Sequence, residues 1–187
     1  RNRLHQILRP GMEVAGRGGH FFDQRGILLR GVVHAAHRFP DLRHGLWERG
    51  YLVDTLETAT DWSNVDNLLN KVEASLRDEL AGDGERVHVF THLSHVYGEG
   101  SSIYTTYVFR PGSDYAEAIS RWQRLKAAAS RTIAENRGTI SHQHGVGRDH
   151  APYLAAEKGE LGMAALKAMA QHFDPESRLA PGVLLED

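Results

Sequence analysis

Two helical periods enclosing a pair of β-rich runs constrain the fold of this chain more than any other feature. Val65, Leu68, Leu69, Val72, Leu76 and Leu80 recur every three or four residues, which gathers them on one helix face. Asp114 and Glu117 have capping-box spacing and open a second such period, with Tyr115, Ile119, Trp122, Ala129 and Ile133 on its inner side. Between the two periods, Arg86 to Val96 and Ser102 to Phe109 are rich in β-formers and flank Gly98-Glu99-Gly100. That arrangement reads as a hairpin with a loop of several residues.

Tyr51 to Thr58 reads as a strand ahead of the first helix, with Asp61 and Ser63 as N-cap candidates and Gly82-Asp83-Gly84 as its stop. Asn136-Arg137-Gly138 ends the second helix. A short strand is expected next, then a histidine loop. A last helix is expected from about Gly159 to Phe173, turning Leu166, Met169, Ala170 and Phe173 inward, before an apolar tail that docks. This order predicts an α+β, ferredoxin-like fold: an antiparallel sheet with helices packed on one face, plus a C-terminal helix and tail.

Composition narrows the function. The chain has 187 residues and a formal net charge of −2, so nothing favours nucleic acid or an acidic membrane surface. No run of about 18 apolar residues is present, and no signal peptide is visible. Without cysteine, thiol nucleophiles, disulfides and Cys-ligated zinc are excluded. A cytoplasmic location and a possible homodimer are expected. Residues 1–38 are rich in Gly, Arg and His, show no sustained period apart from an apolar Ile27-Leu28-Leu29, and read as an unassigned arm.

Chemistry concentrates in Gly138-Thr-Ile-Ser-His142-Gln-His144-Gly-Val-Gly147. On extended backbone His142 and His144 share a face and can address one object. They serve equally as a proton-transfer pair or as polar residues of a loop near a helix start. Two histidines make half a zinc site, and the further ligands (His150, His95, Asp149) are guesses. In Ser102 to Phe109, alternation puts Ile103, Thr105, Tyr107 and Phe109 on one face and Tyr104 on the other, more polar one. Tyr104 there is an acid or base candidate, or an amphipathic packing residue. Thr91-His92-Leu-Ser-His95 places further histidines at a sheet end.

Ile140 to Gly147 resembles the Ser-His-His-His-Gly-Val-Gly motif of the alkyldihydroxyacetonephosphate synthases, which belong to the vanillyl-alcohol-oxidase-like FAD-linked oxidases. Asp54-Thr-Leu-Glu-Thr-Ala59 with Trp62, Ile103-Tyr104 to Phe109, Phe173-Asp-Pro175 and Pro181 to Leu185 resemble other stretches of that family, in the same order. The similarity runs from about Phe39 to Leu185, so residues 39–187 are taken as the C-terminal, substrate-facing domain.

What the resemblance implies is an enzyme whose FAD is largely held by an N-terminal FAD-binding domain outside this chain. Tyr104 is the implied proton acceptor. His142 and His144 assist proton transfer, and His142, Gln143, His144 and Gly145 line the cofactor. Arg43, in Pro40-Asp-Leu-Arg43, is the implied anchor for a small phosphorylated or 2-hydroxy-acid substrate.

Two departures stand out. Gln143 occupies the middle histidine position and cannot take a proton at neutral pH. Ala180 stands where the family often has Asn. Related 2-hydroxy-acid dehydrogenases bind a metal through two strand histidines and a Glu-His pair. Here His95 matches one, Tyr104 falls at the other, and Gln143 replaces the glutamate, so no metal is expected. The alternatives are a domain of an FAD-dependent lactate- or glycolate-type dehydrogenase, or a non-catalytic ferredoxin-like binding module.

Overall fold

The computed structural model describes residues 13–14, 21–22, 42–179 and 181–185, with side chains from Gly45 onward. Ile27 to Leu29, Ala180 and the side chain of Arg43 lie outside the described residues. The chain divides into two compact units, Arg1–Gly50 and Tyr51–Asp187. In the first unit, β1 (Glu13–Val14) pairs antiparallel with β2 (Phe21–Phe22), and a short helix α1 covers Leu42–Trp47.

The second unit carries the predicted α+β pattern. Strands β3 (Leu52–Asp61), β4 (His88–His92) and β5 (Gly100–Phe109) form an antiparallel sheet in the order β3-β5-β4. Helices α2 (Val65–Glu79) and α3 (Tyr115–Glu135) pack against one face. The alternation read in β5 is real. Ile103, Tyr107 and Phe109 join Leu68, Val72, Leu76, Leu80, Leu125 and Ile133 in the core. Each such side chain contributes about 1.5–3 kcal/mol by leaving water. On the same face Asp54 accepts from Tyr107 Oη (3.0 Å) and Trp122 Nε1 (2.7 Å) and pairs with Lys126 at 3.1 Å, which ties β3 to α3. Tyr104 points the other way.

Several local expectations are corrected. Neither Asp61 nor Ser63 caps α2. Its N-cap is Asn64, whose amide donates instead to Thr60 Oγ1 (3.0 Å) and to the carbonyl of Asn136 (2.7 Å), joining both helices. Asp114 does cap α3, accepting from the Glu117 backbone at 2.9 Å. Glu117 reaches one residue beyond the reciprocal box, to the Ser113 N–H at 2.7 Å. Tyr115 is not on the inner face: it is exposed, and Ala118 takes that role.

The short strand before the histidine loop does not form. Thr139 and His142 donate backbone bonds to Ala59 and Glu57 of β3 (3.0 and 3.2 Å). The segment thus grips the free edge of the sheet. It then leaves, because Gln143 (φ 59°) and Gly145 (φ 72°) take left-handed backbone. Gly138 begins this approach. A Cβ there would stand 2.6 Å from Thr58 Oγ1 and 2.8 Å from Leu68 Cδ2, so no larger residue fits.

The last helix starts earlier than expected. Helix α4 runs Ala151–Phe173, with a break at Gly159 (φ 67°). Before the break Ala151 and Leu154 are buried; beyond it Leu166 and Met163 touch the core while Met169 and Phe173 are exposed. Ala170 is exposed as well, so of the four positions expected to face inward in this half only Leu166 does. In the tail, Arg148 donates to the Pro181 carbonyl at 3.1 Å, and Leu179 is exposed.

Candidate active site

The face of the sheet away from the helices carries a row of polar side chains. Register places His92 of β4 opposite Tyr104 of β5, and Glu57 of β3 opposite the same Tyr104. Cross-strand partners share a face, so the row reads His92, Tyr104, Glu57. The His92 and Tyr104 rings lie 5.1 Å apart. Burial lowers the pKa of His92, against the raising effect of Glu57.

Glu57 is the centre of the site, and it is only 7% exposed. Its Oε2 meets His144 Nε2 at 2.8 Å. Its Oε1 accepts from Ser94 Oγ and lies 3.3 Å from His95 Nδ1 and 3.4 Å from His142 Nδ1. Burial alone would raise its pKa. Hydrogen bonds from Ser94, Ser102, His144 and His95 outweigh that and hold it at about 2. Glu57 is therefore a fixed anion that only accepts hydrogen bonds.

The one object that His142 and His144 both address is this carboxylate. From it their rings diverge. His144, the more exposed, stands 6.2 Å from the Tyr104 ring. His142 packs beside His95 (5.6 Å) and Tyr97 (5.9 Å), and its Nε2 lies 3.3 Å from Tyr97 Oη. Gln143 donates to the same Tyr97 oxygen at 3.2 Å. The loop is closed by Ser141 Oγ donating to the Gly145 carbonyl at 2.7 Å.

The fold thus brings together five sequence candidates: Tyr104, His142, Gln143, His144 and Gly145. Arg43 lies on α1 of the first unit, apart from this group in the chain's division. Of the guessed metal ligands, His95 joins Glu57. His150 is instead the N-cap of α4, accepting from the Gly147 N–H at 3.2 Å, and Asp149 is exposed. The histidine opposite Tyr104 is His92 rather than His95.

Sequence reading missed Glu57 and Tyr97. The available signal for Glu57 was a lone acid between Leu56 and Thr58, in the middle of a β-rich run. Charged residues are seldom deeply buried without a partner.

Comparison with known proteins agrees with this architecture. Residues 29–184 match the family described as FAD linked oxidases, C-terminal domain. The chain is 26% identical over 144 residues to alkyldihydroxyacetonephosphate synthase of Trypanosoma brucei brucei, covering 77% of this chain and 22% of that protein. It is 25% identical over 163 residues to D-2-hydroxyglutarate dehydrogenase of Stutzerimonas stutzeri (strain A1501), covering 85% of this chain and 34% of that one.

Among solved structures, an alkyldihydroxyacetonephosphate synthase superposes with a TM-score of 0.52 at 14% identity, over 84% of this chain and 24% of that one. That likeness concerns the fold. The chain thus spans between about a fifth and a third of the length of these curated relatives. No helix among the described residues is long and apolar enough to cross a membrane. The family's cofactor is FAD, and its activity that of FAD-linked oxidoreductases and alkyl synthases. With its match covering most of the sequence, the chain belongs to the FAD-linked oxidase C-terminal domain family.

Proposed function

We propose that this domain supplies the proton-handling wall of an FAD-linked enzyme of the alkyldihydroxyacetonephosphate synthase type, acting on a small phosphorylated substrate. The observation that carries the reading is Tyr104 flanked by His92 and Glu57, with His144 bridging to the carboxylate. Glu57 is an anion, so His144 donates its Nε2–H to Oε2. The accepting nitrogen is then Nδ1. Tyr104 gives its own hydroxyl proton to His144 Nδ1 as it takes the substrate proton at Oη, so the phenol ends neutral and the imidazolium formed is held by the Glu57 carboxylate.

The residues present fit a flavin edge. At Gly145 and Gly147 an added Cβ would meet nothing within 4 Å. The backbone there is open to close approach, and Gln143 and His144 are exposed beside it. His142, Gln143, His144 and Gly145 would line the cofactor, which supplies the redox-active ring when bound. Most of its binding belongs to a separate FAD-binding domain. Arg43, as the cationic anchor for the substrate's phosphate, is part of the same proposal.

The test is turnover in the full-length parent, followed as formation of alkyldihydroxyacetonephosphate. Tyr104→Phe and His144→Ala should each lower it roughly 100-fold or more. Undiminished activity in both variants would overturn the assignment.

A second reading, a 2-hydroxy-acid dehydrogenase, is favoured by the longer stretch of this chain matched in the Stutzerimonas stutzeri relative. Reduction of an artificial electron acceptor by D-2-hydroxy acids, without alkyl product, would select it.

A further inference from the structure

We propose that Glu57, His95 and His142 form a three-ligand site for a first-row divalent cation of the zinc class. Among the described residues these three offer ligand atoms that all lie within 4.8 Å of one another. They come from β3, from the β4–β5 connection and from the loop after α3, so a bound ion would clip three distant segments together.

The distances carry the argument. His95 Nδ1 lies 3.3 Å and His142 Nδ1 3.4 Å from the same oxygen, Glu57 Oε1. A hydrogen bond from imidazole to an ionised carboxylate is about 2.7–2.9 Å long. The other oxygen of Glu57 shows that length, at 2.8 Å to His144. Toward imidazole, the carboxylate therefore makes an ordinary bond at Oε2 and two longer approaches at Oε1, which also accepts from Ser94 Oγ. Ligands bound at about 2.1 Å around a tetrahedral ion stand about 3.4 Å apart, which matches the longer pair.

The state of His142 agrees. Its Nδ1 is buried and has no hydrogen-bond partner, although it faces Glu57. Its Nε2 is occupied by Tyr97 Oη at 3.3 Å. With the proton on Nε2, Nδ1 turns a lone pair toward a carboxylate, an arrangement that a cation held between them relieves. Tyr97 then holds the ring and fixes its tautomer, as outer partners of ligating histidines do. Ser94 Oγ, on Glu57 Oε1 and 3.1 Å from His95 Nδ1, holds the other side.

Two imidazoles and a carboxylate suit zinc or ferrous iron rather than magnesium or calcium. The sequence expectation of no metal rested on Gln143 and Tyr104, and this triad uses neither. Its role is to hold the loop, leaving Tyr104 and His144 to the chemistry.

The test uses the 187-residue chain, freed of metal by chelator and titrated with Zn(II) against a colorimetric indicator, with no flavin or substrate present. Failure here is therefore distinct from failure of the proposed activity. One tight equivalent per chain is expected. It should weaken at least tenfold in His95→Gln, whose side chain is half-exposed, and in Glu57→Gln, and stay unchanged in His172→Gln on the exposed end of α4. Zn(II) should raise Tm of the parent chain but not of His95→Gln. No tight equivalent, or one that survives His95→Gln, overturns the site. If Glu57→Gln fails to fold, His95→Gln decides alone.

Discussion

Asp54 shows how much one side chain can hold. It receives the Tyr107 hydroxyl, the Trp122 indole and the Lys126 ammonium. Burial raises its pKa, but Lys126, Trp122 and the Thr55 N–H more than reverse that, so its carboxyl sits below the ordinary 3.8. The folded state thus binds the proton more weakly than the unfolded chain. The stabilisation is complete above pH 3.8 and fades as pH falls through the lowered value. Asp54→Asn should cost about 1–3 kcal/mol at neutral pH, and the gap from the parent chain should close in acid. Urea unfolding at a series of pH values checks this; a gap independent of pH would refute it. Tyr104, His142 and His144 were legible in the sequence because a motif spells them out. Glu57 was not, because its role exists only once β3 pairs with β5 and brings it beside Tyr104.

At the scale of elements, the sequence was most readable where local rules suffice. The sheet strands β3 to β5, helix α2 and the Asp114 cap follow from alternation, period and side-chain chemistry close in the chain. Asp114→Ala should destabilise by about 1 kcal/mol through loss of its bond to the Glu117 N–H. Thermal unfolding with an unchanged near-UV spectrum reads that out, and an unaltered Tm would show that the cap is dispensable. Two elements were not readable. The histidine segment borrows the edge of β3, a contact about 80 residues away in sequence. In α4, which residues turn inward depends on how far the core reaches along the helix: Met163 and Leu166 pack against it, while Met169, Ala170 and Phe173 lie beyond it in water.

At the scale of the whole molecule, the far half of α4 and the tail leave Leu161, Met169, Phe173 and Leu179 in water. Exposed apolar groups gathered on one element mark a surface that associates. The isolated chain should therefore self-associate as its concentration rises. The double change Leu161→Lys with Phe173→Glu should suppress this in sedimentation equilibrium while Tm moves little. Equal association in both forms would place the contact elsewhere. The family relation was readable because its motifs recur in order along most of the chain. The substrate was not, since the anchor assigned to Arg43 lies in a different unit from the histidines.

The register of β5 has a consequence for how this protein can change over evolutionary time. Ile103, Tyr107 and Phe109 build the core, while Tyr104 between them faces the site. Because strand side chains alternate, losing or gaining a single residue within β5 would exchange the two sets. Core and chemistry would fail together. The Leu93–Glu99 connection is bound in the same way, because its Ser94, His95 and Tyr97 reach Glu57 and His142, so neither β5 nor the turn that leads into it can change length without disturbing the site.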